Sequence, residues 1–159
     1  MVSRPISDGL FTWPVPEPPG CPALYGARCS SCAALVFPVA PGCPRCGSGE
    51  MARVELPTSG TLYTWTTQEF LPKPPYLGPE TAADFRPWAV GYVELGGELR
   101  VEGRLYDAES AGLSFGMVLE VVVRPFRTEP DGTEVWTYGF APPGWQGPGQ
   151  GQGVAREPG

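Results

Sequence analysis

The stretch Cys29-Ser30-Ser31-Cys32-Ala33-Ala34-Leu35-Val36-Phe37-Pro38-Val39-Ala40-Pro41-Gly42-Cys43-Pro44-Arg45-Cys46-Gly47 decides how the first third of the chain folds. It holds two Cys-x-x-Cys pairs with ten residues between them. A two-residue spacer lets one tight turn aim both sulfurs at a single ion, while N–H groups of the turn point at the thiolates and offset their charge. Gly47 follows the second pair, where a left-handed residue closes such a turn. Two turns of this kind supply four sulfurs in a tetrahedron, the arrangement Zn²⁺ favours in closed structural sites. The spacing therefore predicts one structural Zn²⁺ per chain on Cys29, Cys32, Cys43 and Cys46. Iron is the alternative, because a four-sulfur tetrahedron accepts either metal. Buried reduced thiols or redox pairs are the remaining reading. Cys21 has no partner at this spacing and reads as an ordinary loop thiol. A four-sulfur shell has no open position, so no Lewis-acid chemistry is expected of the metal.

Upstream, residues 1–22 form a proline-rich arm that includes Trp13-Pro14-Val15-Pro16-Glu17-Pro18-Pro19. Prolines at this density forbid a helix and favour an extended path, with Phe11 and Trp13 pinning it to the body. Residues 23–50 make the metal ribbon. Residues 51–142 read as mainly β. Strands are expected over Gly60–Thr67, Trp88–Leu95, Glu98–Tyr106, Met117–Arg124 and Thr133–Phe140. In the first, alternation places Leu62, Thr64 and Thr66 on one face. Gly96-Gly97 is a hairpin signal, Asp107–Leu113 can hold a short helical turn, and Pro130-Asp131-Gly132 is a turn. In the third strand Leu99, Val101, Gly103 and Leu105 face inward. Arg100 and Arg104 face outward with Glu98 and Glu102, as a solvated charge ladder. Five strands at this spacing suit a closed barrel of the OB type, with a simple β-sandwich as the alternative. Residues 143–159 are mostly Gly, Pro and Gln, have little to bury, and are expected to form a disordered tail.

The composition narrows the function. The 159-residue chain carries 11 basic and 17 acidic residues, a net charge of −6, and no histidine. An acidic chain lacks the basic groove that nucleic acid requires, so no nucleic-acid partner is expected. Without histidine the commonest general base and proton shuttle are missing, and the chain is expected not to be an enzyme. No apolar run reaches 18 residues, so no helical membrane span is expected. The N-terminus lacks the apolar stretch of a signal peptide, and cytoplasmic residence is the expectation.

Leu71–Trp88 joins the first two barrel strands and is long for a hairpin loop. Its prolines stiffen it, and Tyr76, Leu77, Phe85 and Trp88 give it apolar anchors outside the core. Lys73 and Arg86 suit an anionic ligand such as a coenzyme A phosphate. Arg124, at the end of the fourth strand, is a further candidate for ligand contact. A plain surface insertion is the alternative.

The order of motifs resembles a known family. Leu24-Tyr25-Gly26-Ala27-Arg28-Cys29-Ser30-Ser31-Cys32, then Phe37-Pro38, then Cys43-Pro44-Arg45-Cys46-Gly47-Ser48, is similar to the zinc-ribbon half of small proteins that accompany thiolase-like enzymes. Ser59–Thr66, Pro87–Leu95, Leu99–Leu105, Gly116–Val121 and Tyr138-Gly139-Phe140 resemble its barrel strands in order, so the match spans about residues 24–142. The resemblance implies a rubredoxin-like zinc ribbon followed by a five-stranded OB-fold. It implies a non-catalytic subunit of a thiolase, acyl-CoA synthase or acyltransferase, or thiolase-like aldolase, with an acyl-CoA site shared with that partner. A rubredoxin-like iron module for electron transfer is the alternative function. The chain departs from the family pattern at Ala33, where glycine is usual, at Ala141, where arginine often stands, and in having the proline-rich arm in place of an N-terminal helix.

Overall fold

A computed structural model describes residues 2–108, 112–145 and 147. The strands in chain order are β1 (Ser3–Pro5), β2 (Tyr25–Cys29), β3 (Leu35–Val36), β4 (Met51–Glu55), β5 (Ser59–Gln68), β6 (Trp88–Leu95), β7 (Leu99–Leu105), β8 (Val118–Thr128) and β9 (Glu134–Ala141). The metal ribbon is the small antiparallel sheet β3-β2-β4. The remaining strands lie in the order β1-β9-β7-β6-β5-β8, and β8 also pairs with β9. That pairing closes β5 to β9 into a five-stranded barrel. β7 and β9 meet in parallel through Leu105 and Phe140.

Alternation of apolar residues builds the interior. Leu62, Val93, Leu95, Val101, Leu105, Leu119, Val121, Val123 and Phe140 form one buried cluster. Gly103 makes room for it: a Cβ there would stand 2.7 Å from the Phe140 ring, closer than real side chains approach. The diglycine turn also reads as expected. Gly96 and Gly97 have φ of 63° and 70°, the pair of left-handed residues that a two-residue hairpin turn demands.

The first barrel strand departs from simple alternation. The β5–β6 register shifts between Leu62 and Thr64, so Tyr63 is the extra residue of a bulge. Beyond it the faces swap. Trp65 lies opposite Gly91 and packs on the core, while Thr64 and Thr66 are exposed. β8 runs four residues farther than expected, to Thr128, and a second bulge between Pro125 and Arg127 accommodates the proline. Within the expected turn at 107–113, residues 109–111 lie outside the described residues.

The arm is pinned as expected. Phe11 is 2% exposed and bridges to Leu24, and Trp13 meets Trp136 edge-on at 5.9 Å. The arm also supplies β1, which no sequence pattern marked and which pairs in parallel with β9. Trp145, inside the segment expected to be disordered, stacks on Tyr106 at 5.1 Å and 19°. Residues 146 and 148–159 of that segment lie outside the described residues.

Candidate metal centre and barrel groove

Two turns build the metal centre. Ala33 N–H donates to the Cys29 carbonyl and Gly47 N–H donates to the Cys43 carbonyl, both at 2.9 Å. Each closing residue is left-handed, with φ of 63° at Ala33 and 77° at Gly47. The four Sγ atoms of Cys29, Cys32, Cys43 and Cys46 all lie within 4.8 Å of one another. The closest approaches, Cys29 to Cys46 and Cys32 to Cys43, are both 3.6 Å. A tetrahedron with metal–sulfur bonds of ~2.3 Å has edges of about 3.8 Å, so the spacing of the cluster suits a four-sulfur metal site. Backbone N–H groups of Cys32 and Ser31 draw the Cys29 thiol down to about 6, and those of Cys46 and Arg45 lower Cys43. The turns thus favour the thiolate at Cys29 and Cys43. At Cys46 the Ser48 N–H also lowers the thiol, but hydrogen bonding with the other three sulfurs and burial outweigh it and push the thiol up to about 11. Cys29 and Cys43 are buried, and Cys32 and Cys46 close the outer side. Cys21 stands apart and exposed.

Contacts tie this centre to the barrel. Phe37 meets Tyr138 edge-on at 5.5 Å, and Leu35, Phe37 and Val54 pack on the barrel cluster. Arg28 donates from both terminal nitrogens to Glu98, at 3.0 and 3.2 Å. Tyr138 in turn donates to the Glu102 carbonyl at 2.7 Å, and burial pushes its phenol up to about 12.

Tyr138 also lines a groove of about 370 Å³ on the barrel wall, together with Tyr76, Trp88, Arg104, Tyr106 and Phe126. The 71–88 loop folds down over it. Tyr76 stacks on Trp88 at 6.0 Å and 29°, meets Phe126 edge-on at 5.9 Å and donates to Glu80 at 2.8 Å. Its ring crosses Gly78 so closely that a side chain there would collide with it. Burial, and then the Glu80 carboxylate, raise the Tyr76 pKa. The Arg104 guanidinium lies 4.6 Å over Trp88 and 5.4 Å from the Tyr106 ring, with Glu80 at 3.9 Å. Arg104 is therefore the cation that latches the loop, rather than a rung of a solvated ladder. Arg100 keeps its place in that ladder: it pairs across the strands with Glu94, its register partner, at 3.3 Å, and it covers the Tyr63 ring at 3.6 Å.

The structure thus brings Tyr76 and Trp88 together, with Phe85 edge-on to Trp88 at 5.3 Å. Leu77, expected as a further anchor, is instead 64% exposed. Lys73 and Arg86 are exposed on the loop, and neither forms an ion pair among the described residues. Arg124 is half-buried beyond the groove, 5.2 Å from the Trp145 ring, and burial lowers its pKa. The residues that sequence reasoning missed are Glu80, Arg104, Tyr106, Phe126 and Tyr138. One signal was available. Counting back from the diglycine turn pairs Val90 with Arg104, which puts Arg104 diagonally across from Trp88 on the outer face.

Comparison with known proteins agrees with this architecture. The model of the ChsH2 rubredoxin-like zinc ribbon domain matches residues 21–52, and that of the ChsH2 C-terminal OB-fold domain matches residues 53–124. A DUF35 domain-containing scaffold protein of Pyrococcus furiosus is 31% identical over 120 residues, covering 75% of this chain and 82% of its own length. Benzoylsuccinyl-CoA thiolase subunit BbsA of Thauera aromatica is 31% identical over 119 residues, covering 75% of this chain and 76% of its own. A solved Ltp2-ChsH2(DUF35) aldolase superposes with a TM-score of 0.53 at 27% identity, covering 76% of this chain and 84% of the other.

Proposed function

Because this chain belongs to the ChsH2-type family of DUF35 domain proteins, in which a rubredoxin-like zinc ribbon precedes an OB-fold, we propose that it is a non-catalytic accessory subunit. It docks on a thiolase-superfamily enzyme that makes or breaks a carbon–carbon bond in a CoA ester, and it supports that enzyme's acyl-CoA site or its assembly. The observation that carries this reading is the likeness, over three quarters of the chain, to a protein named as a thiolase subunit. The likeness to a chain in an aldolase assembly supports it. So does the chemistry of the chain itself. It has no histidine, and a four-sulfur site offers a substrate no open coordination position.

The metal is Zn²⁺, one per chain, held by Cys29, Cys32, Cys43 and Cys46. When bound it supplies folding free energy rather than reactivity. Lys73 and Arg86, exposed on the 71–88 loop, are the cations placed to meet the phosphates of a CoA ester at the partner's surface. Titration calorimetry against the thiolase-like enzymes of the same organism tests the docking. Saturable binding at fixed stoichiometry to one of them is expected. Absence of binding across all of them would remove the accessory reading. The purified chain should be colourless and hold one zinc by elemental analysis. A red ferric protein would instead support electron transfer.

A further inference from the structure

We propose that the open edge of β5, from Tyr63 to Gln68, is where the enzyme partner docks, by adding an extended, uncharged segment of its own chain as a further strand. This rests on the accessory-subunit reading above and names the surface that it uses. Along its first three residues β5 is covered, because Ser59–Thr61 pairs with β8. Leu62 N–H then donates to the Met117 carbonyl at 2.9 Å, and Gly116 N–H donates to the Leu62 carbonyl at 2.8 Å. There the cover ends. From Tyr63 to Gln68, the backbone bonds only to β6 among the described residues. Among the described residues the opposite edge therefore presents unpaired N–H and C=O groups, a template for another strand.

Folded proteins blunt such edges with charge, proline or brevity, and this one does so elsewhere. β1 carries Arg4 and Pro5, β4 carries Arg53 and Glu55, and β3 is two residues long before Phe37-Pro38. The open stretch of β8 carries Arg124, Pro125 and Arg127. The β5 edge has no such guard. Residues 56–68 contain no charged side chain, in a chain with 11 basic and 17 acidic residues. Arg100, which covers one face of Tyr63, is neutralised by Glu94. Large apolar groups stand exposed beside the edge: Tyr63 is 50% exposed, Phe70 79% and Phe115 73%. Phe115 lies 4.7 Å from the Trp65 ring.

These features select the occupant. An open backbone edge recognises an extended backbone through main-chain hydrogen bonds. A strip without charge offers nothing to neutralise a charged strand, so the added segment is uncharged. A second copy of this chain would bring a net charge of −6 against −6, whereas a neutral strand of a different protein meets no such opposition.

The test uses the full chain and the thiolase-like enzyme that it binds in calorimetry. Thr64→Lys and Thr66→Lys place charge on the edge at exposed positions, so the fold should survive. Each should weaken binding at least tenfold while leaving zinc content and Tm unchanged. Thr66→Val should bind like wild type, because it leaves the backbone free. Hydrogen exchange should show amides within 63–68 gaining protection on complex formation. Wild-type affinity in both lysine variants, or no added protection at 63–68 in a complex that does form, overturns the β5 proposal and leaves the accessory reading standing. Failure of the wild-type chain to bind at all removes the accessory reading first. Protection at 63–68 that rises with the concentration of the chain alone, together with a doubled mass, overturns the assigned occupant.

Discussion

Ala33 holds the left-handed conformation, with φ of 63°, that Gly47 holds at the matching position of the second turn. A side chain in that conformation costs roughly 1–2 kcal/mol. Glycine gains freedom in the unfolded chain worth about 0.4–1 kcal/mol in the other direction. The strain is the larger, so Ala33→Gly should stabilise the ribbon by about 0.5–1 kcal/mol, read as slower zinc loss to a chelator. Equal or faster loss would show that the turn carries no strain. Tyr76 makes a second prediction. Burial and then Glu80 raise its pKa above the ordinary 10.0. A raised value means that the folded state favours the protonated phenol. The stabilisation of the docked loop is thus fully present below pH 10 and lost as the pH rises past it. Tryptophan fluorescence should report an alkaline release of the loop from Trp88, and Tyr76→Phe should remove that step. An identical step in the variant would place the titration elsewhere. The metal centre was legible at this scale because only two residues separate the ligands of each pair and ten separate the pairs, and local turns aim them. The groove was legible only in part: the hairpin register from Gly96-Gly97 relates Arg104 to Trp88, but Phe126 and Tyr138 reach it from later strands that no local spacing relates to the loop.

Among the elements, the joint between ribbon and barrel combines an ion pair with an apolar contact, and their magnitudes differ. The Arg28–Glu98 pair is well formed at 3.0 Å, but its side chains are 39% and 50% exposed, and such pairs contribute roughly 0–1 kcal/mol. Phe37 is half-buried against Tyr138 and the barrel cluster. Removing a fully buried phenylalanine costs about 3–5 kcal/mol, so a half-buried one should cost roughly 2. Phe37→Ala should therefore loosen the ribbon more than Arg28→Ala, by hydrogen exchange across Tyr25–Cys29. The reverse order would make the joint electrostatic. The five barrel strands were legible because strict alternation and the diglycine turn are local signals. The bulge at Tyr63 was not, since it is set by the register against β6 and by the space above Gly91. The parallel β1 was hidden for the same reason: its three residues are held by β9, more than 120 positions away. The Trp145 contact was hidden because one aromatic residue in a Gly-Pro segment carries no periodicity.

Taken whole, the molecule is a metal-held ribbon joined to a closed barrel, and the ribbon's own apolar core is small. A domain of that size depends on its metal, whose binding in such modules is worth about 10–16 kcal/mol and is coupled to folding. Cys43→Ser should lose the zinc and unfold residues 24–50, while Cys21→Ser, outside the cluster, should keep full zinc content. One zinc per chain in Cys43→Ser, by elemental analysis, would rule out this ligand set. The accessory role is tested most directly by steady-state turnover of CoA thioesters, measured with this chain alone, with the thiolase-like enzyme that binds it alone, and with both. The prediction is no turnover by the purified chain and a rate for the pair well above that of the enzyme alone. Steady turnover by this chain alone, persisting through rigorous purification, would contradict it.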